Sequence, residues 1–167
     1  GAHFGHRTGK WNPKMAPFIF GERKGVHIIN IEATRKYLGD ALKYVEDLVA
    51  SGGVIIFVGT KKQSKLIVEN YAKECGMPFV SERWLGGTLT NFAQIFQVIK
   101  KYKTLKERFE KGEMKRYTKK EQSIFQKELA KLEKFVGGLS TLTKLPDCVY
   151  IVDARWDDTA VREANRK

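Results

Sequence analysis

A chain of 167 residues, 42% of them hydrophobic, is long enough to bury one substantial core and to carry an appendage. Its formal net charge of +12, from 31 Lys and Arg against 19 Asp and Glu, is extreme for a small-molecule enzyme and ordinary for a protein that lives on a polyanion. No apolar run approaches a membrane span and no signal-type hydrophobic region opens the chain, so a soluble, cytosolic-type protein is expected.

The charge is uneven. Lys and Arg exceed Asp and Glu by 4 over residues 1–25, by 1 over 26–91 and by 8 over 92–145, and fall short by 1 over 146–167. A nearly neutral body therefore bears a basic N-terminal segment and a basic insertion.

The first stretch, GAHFGHRTGKWNPKM, is rich in Gly, Pro and basic residues and reads as an extended loop reaching to about residue 25. Arg7, Lys10 and Lys14 can reach phosphates, with Asn12 between them, while Trp11 and His6 offer faces on which an exposed base or ribose can rest. Phe18 and Phe20 read as anchors to the body. His3 and His6 have a spacing that can hold a metal, but without a Cys or acid partner the signal is weak.

Val26–Asn30 is a β-branched run, and the following apolar positions Leu38, Ala41, Leu42, Val45, Leu48 and Val49 repeat at helical spacing up to Gly52 and Gly53. Val54–Val58 is apolar throughout, as in a parallel strand covered on both faces. Leu66, Ile67, Tyr71, Ala72 and Cys75 mark a second helix, stopped by Gly76 and Pro78, and Phe79–Val80 begins a short strand. Pro146–Asp153 supplies the next strand, and Asp157 or Asp158 can cap a helix beginning near Thr159. This β-α-β-α-β series predicts an α/β layered fold with a parallel sheet. A last helix with no strand after it reads as part of a longer fold. Cys75 and Cys148 read as reduced packing residues, and His27 as a satisfied core or edge residue.

The insertion has its own period. Ile95, Phe96, Ile99, Tyr102, Leu105 and Phe109 describe one helix; Phe125, Leu129, Leu132 and Val136 form a short heptad seam in another, which starts at the capping-box spacing Thr118-Lys-Lys-Glu121. Two helices of roughly 20 residues reach about 30 Å each, so a projecting coiled-coil arm is expected, with KKYK at 100–103 and KRYTKK at 115–120 on its polar faces.

The strand-to-helix turn Gly59-Thr-Lys-Lys-Gln-Ser64 has the setting of a phosphate site. It lacks the second glycine of a P-loop and two of the three glycines of a dinucleotide fingerprint, although Glu82 stands where a ribose-binding acid belongs. Asp153, Asp157 and Asp158 cluster where α/β enzymes often hold metal, but capping explains at least one of them. No nucleophile-base arrangement stands out. Two hypotheses remain, an RNA-binding scaffold and a nucleotide-binding α/β enzyme, and the missing glycines and basic excess favour the scaffold.

The segments GAHFGHRTGKWNPKMAPFIFGERKGVHIIN, FVGTKKQ, RWLGGTLTNF and GGLSTLTKLPDCVYIVDARWDDTAVREAN, in this order and spacing, closely resemble bacterial-type small-subunit ribosomal protein two, the S-two family. The resemblance covers nearly the whole chain. It implies a flavodoxin-like three-layer α/β/α body, here residues 1–91 and 146–167, with a protruding coiled coil over 92–145. It also implies no catalytic activity; no cofactor, no metal ligand and no membrane are expected, with a metal at His3 and His6 or at the Asp153–Asp158 cluster left open. The implied partners are small-subunit ribosomal RNA and neighbouring ribosomal proteins, including the large S-one protein, in the small subunit of a cytoplasmic or organellar ribosome. The family continues beyond both ends of this chain. Arg7, Lys10, Trp11, Asn12, Lys14, Lys61, Lys62 and Arg83 are the expected RNA-binding residues. Trp84 is divided between core and RNA. Gly86 and Gly87 permit a tight bend, with Thr90 or Asn91 capping the helix that follows.

Overall fold

The computed structural model describes residues 1–167, which form two compact units, Gly1–Gly52 and Gly53–Lys167. The first holds an antiparallel sheet of β1 (Phe4–Arg7), β2 (Ile19–Arg23) and β3 (Val26–Ile29) in the order β1-β3-β2. Lys24 and Gly25, with φ of 52° and 74°, make the two-residue connection that matches the twist of paired strands. Short 3-10 segments cover Thr8–Lys10 and Pro13–Phe18.

Two expectations are corrected here. The N-terminal segment is not a loop without regular structure, and Val26–Ile29 is the centre of an antiparallel sheet rather than the first strand of a parallel one. A β-branched run does not disclose which neighbour it pairs with; the tight Lys24-Gly25 turn decides it. The long helix α1 (Ile31–Ala50) is present as predicted, started by Asn30, whose side chain accepts the Ala33 N–H at 3.1 Å. None of its residues is buried, and Leu38, Leu42 and Val49 are exposed.

In the second unit β4 (Ile55–Val58) lies between β5 (Phe79–Val80) and β6 (Cys148–Ile151), parallel to both. The parallel sheet is therefore present, with three strands. Helix α2 (Lys65–Glu74) crosses it, with Val68 and Ala72 buried; of the residues whose spacing marks the helix only Ala72 is buried, and Leu66, Ile67, Tyr71 and Cys75 are exposed. Ile56 and Val58 enter a core with Val80, Trp84, Leu89, Leu139, Leu142 and Ala160.

That core continues into the helical hairpin. Ile95, Ile99 and Tyr102 of α3 (Phe92–Glu110) and Val136 of α4 (Lys119–Val136) belong to it, so the base of the hairpin and the sheet share one apolar interior. Farther out, a 3-10 turn over Glu113–Arg116 buries Met114, and Lys101 of α3 pairs with Glu128 of α4. The predicted capping box is formed. The Thr118 N–H donates to Glu121 Oε2 at 2.9 Å, and the Glu121 N–H donates to Thr118 Oγ1 at 3.4 Å. The short α5 (Asp158–Ala164) closes the chain. Both cysteines are free; Cys148 is half-buried, which pushes its thiol pKa up, but Cys75 is exposed at the end of α2 and does not pack.

Candidate nucleic-acid interface

In the first unit the expected cations stand on short, tightly turned elements. Arg7 ends β1, and Lys10 and Lys14 lie in the 3-10 segments; all three are exposed. Asn12 accepts the Lys14 N–H at 3.0 Å and so starts the second of these segments, which fixes the backbone between the two lysines. Trp11 is half-buried, with its ring 4.8 Å from that of His27.

His27 is not the satisfied residue that its strand position suggests. Both its ring nitrogens are buried without a hydrogen-bond partner, because it sits in the central strand beneath an apolar indole. Phe18 and Phe20 are likewise not core anchors. Phe20 is 80% exposed, and Phe18, also at the surface, meets the edge of the Tyr37 ring. Phe4 is also exposed, and with Phe20, Val26 and Ile28 it lines a concavity of about 700 Å³ edged by His3, Arg23 and Lys24. Sequence reasoning missed this face because the outward side of an antiparallel strand is recognised only after its register is known.

In the second unit the turn after β4 is built for close packing. A Cβ on Gly59 would stand 2.6 Å from a Val68 methyl, so the glycine lets α2 lie against the sheet. Two of the protein's own carboxylates engage the first residues of this turn, Thr60 and Lys61. Asp157, buried, accepts from the Thr60 hydroxyl at 2.7 Å and from the Thr60 N–H at 3.3 Å. Lys61 Nζ lies 2.9 Å from Asp153, whose carboxylate also accepts the N–H groups of Arg155 and Trp156. Lys61 first, then these N–H groups, hold the Asp153 pKa below the usual carboxylate range.

Asp157 does precede α5, but its side chain makes no cap; reaching across to Thr60 satisfies a buried group instead. Both carboxylates thus have positions explained without a metal. Lys62 remains exposed.

The Arg83-Trp-Leu-Gly-Gly-Thr-Leu-Thr-Asn91 stretch shows the same economy. Trp84 is buried in the core, which resolves its divided reading, and Arg83 is exposed. Gly87 has φ of 91°, a value that disfavours any side chain, and Thr88 is buried with its hydroxyl on the Leu85 carbonyl at 2.6 Å. Asn91 occupies the start of α3 without a side-chain cap bond.

The turn is held by Glu163 of α5, which accepts the Gly87 N–H at 2.5 Å and the Leu89 N–H at 3.0 Å. Burial pushes the Glu163 pKa up, but those N–H groups, with contributions from Trp84 and Thr90, outweigh it and leave the pKa below its ordinary value. Just before Arg83, Glu82 pairs with Lys65 and, at 3.8 Å, with Lys134. Neither partnership is legible from spacing, since both join distant segments.

These features define an α/β protein with a parallel sheet, a helical hairpin rooted in its core, a strongly basic composition, and a β4-α2 turn whose Thr60 and Lys61 are tied to its own carboxylates. The family model described as ribosomal protein S2 matches residues 1–167, and the chain belongs to that family of structural proteins of the small ribosomal subunit. No helix is long and apolar enough to cross a membrane.

Proposed function

We propose that this chain is a non-catalytic scaffold that binds small-subunit ribosomal RNA and neighbouring ribosomal proteins in a cytoplasmic-type ribosome. The observation that carries the reading is the division between closed and open cationic ground. In the one turn with the setting of a nucleotide site, Thr60 and Lys61 are engaged by Asp157 and Asp153, whereas Arg7, Lys10, Lys14, Lys62 and Arg83 are exposed on the surface. Surface cations on fixed backbones suit the repeated phosphates of RNA, which release condensed counterions as each phosphate is neutralised.

Trp11 and Asn12 stand among the cations of the first unit, and the half-buried indole is assigned to a base. Lys61 contributes by holding the turn through Asp153 and by the part of its side chain that stays exposed. Protein partners, among them the large S-one protein, are assigned to two other surfaces. One is the outer part of the hairpin, a polar coiled-coil arm of the flavodoxin-like three-layer body. The other is the exposed Phe4 and Phe20 face, since clustered apolar exposure marks protein contact sites.

Neutralising Arg7, Lys10, Lys14, Lys61 and Lys62 together tests the reading. Binding to small-subunit ribosomal RNA should weaken by orders of magnitude, and the slope of log affinity against log salt should fall by somewhat less than one for each phosphate that no longer meets a cation. An unaltered slope would remove these residues from the interface.

A further inference from the structure

A carboxylate buried without a cation is costly unless several donors face it. Glu163 is 7% exposed and belongs to no ion pair, and the hydrogen-bond donors that face it come from a single stretch of chain. The Gly87 N–H meets Oε1 and the Leu89 N–H meets Oε2, while the Trp84 indole N–H and the Thr90 N–H lie close enough to stabilise the charge. The indole N–H does not complete a hydrogen bond of ordinary geometry. The turn is thus folded around the Glu163 carboxylate as a backbone nest folds around an anion.

On the other side of Arg83, Glu82 is tied by Lys65 to the start of α2 and by Lys134 to α4. Arg83 lies between two immobilised neighbours, Glu82 and Trp84, and its own side chain is exposed.

We propose that Glu163 and Glu82 are positioning residues that hold the backbone of Arg83, so that its guanidinium forms a preorganised fork for an RNA phosphate. The inference rests on the RNA-binding reading above and names the contact on which the second unit most depends. A guanidinium matches a phosphate bidentately, and a fixed backbone reduces the freedom given up on binding. Neither carboxylate touches RNA itself.

The test is a titration of the full chain with small-subunit ribosomal RNA over a range of salt, for the wild type, Arg83→Ala, Glu163→Gln and the double variant. Glutamine keeps the shape of Glu163 but turns an amide donor toward one of the two backbone N–H groups. Arg83→Ala should weaken binding roughly tenfold, the effect of removing one charge-assisted hydrogen-bonded pair, and lower the salt slope by somewhat less than one. Glu163→Gln should reproduce both changes, and the double variant should be no worse than Arg83→Ala alone.

A Glu163→Gln protein with a lower melting temperature but unchanged affinity and slope would reduce Glu163 to a core anchor and overturn the inference. So would additive effects in the double variant, or an Arg83→Ala protein that binds as the wild type does. If Glu163→Gln fails to fold, Glu82→Gln, at a more exposed anchor, carries the same expectations and the same contrary outcomes. Absence of salt-dependent binding by the wild type would instead sink the RNA-binding reading itself.

Discussion

Residues 1–52 and 53–167 solve the problem of holding a chain in different ways. The second region holds every residue that is buried as a whole, from Ile55 to Glu163. The first has none; its order comes from strand ladders, a tight hairpin turn and a capped helix, while Phe4, Phe20, Leu38 and Leu42 remain exposed. Backbone hydrogen bonds specify a conformation, but each contributes only about 1 kcal/mol net, and burial supplies most of the stability. The basic N-terminal surface is thus carried by a region with little interior of its own, and the buried carboxylates by a region that can bear their cost.

Truncating an interior side chain should expose this contrast most sharply. Ile99→Ala, at a fully buried position, should cost about 2–5 kcal/mol in urea unfolding, while Leu42→Ala should stay within about 0.5 kcal/mol. A comparable effect at Leu42 would break the comparison, because α1 would then be buried in solution.

Acid should act through the second region. The depressed pKa of Glu163 means that the unfolded chain takes up its proton first. Its contribution is complete above the ordinary glutamate pKa of about 4.3 and disappears as pH falls through the lower folded value. Glu82 and Asp153 are depressed as well, chiefly by hydrogen bonds to Lys65 and Lys61, and add changes of the same sign. Thermal unfolding between neutral pH and pH 3 should show this decline, and Glu163→Gln should flatten part of it.

Within the hairpin, Thr118→Ala removes one side of the capping box and should cost about 1 kcal/mol. The smallest stability effect belongs to the first region. Phe20→Ala should leave the unfolding midpoint almost unaltered and yet reduce recovery of neighbouring ribosomal proteins in reconstituted small subunits; full recovery would remove the aromatic face from the protein-binding surfaces.

The same contrast governs how much is legible in the sequence. Apolar spacing lets α2, the hairpin helices and the apolar run of β4 be read directly, and Thr118-Lys-Lys-Glu121 announces its own cap, although of the residues that mark α2 only Ala72 is buried. The ladders of the first sheet leave little imprint, since strands such as Phe4-Gly-His-Arg7 contain no alternating apolar face. Val26–Ile29 is recognisable as a strand, but its composition points to the wrong partners. The missing glycines of the Gly59 turn argue against a nucleotide site, and the contacts that tie Thr60 and Lys61 to Asp157 and Asp153 come from more than ninety residues away. Glu163 gives no signal beyond an acidic residue in a short polar helix. The clue available is Gly86-Gly87, a bend whose freed N–H groups need an acceptor from elsewhere.

The hydrogen bond from the Val54 N–H to Asp147 spans 93 positions, and β4 has β6 as one of its two flanking strands. During vectorial synthesis β4 must therefore wait until the whole helical hairpin has left the exit tunnel before that flank is covered. Packing between α3 and α4 is local by comparison and forms sooner, and a formed hairpin brings the ends of this long insertion together, lowering the entropy cost of the distant pairing. A chain stalled before residue 147 should hold a folded hairpin beside an open, sticky strand edge, the kind of species that chaperones retain.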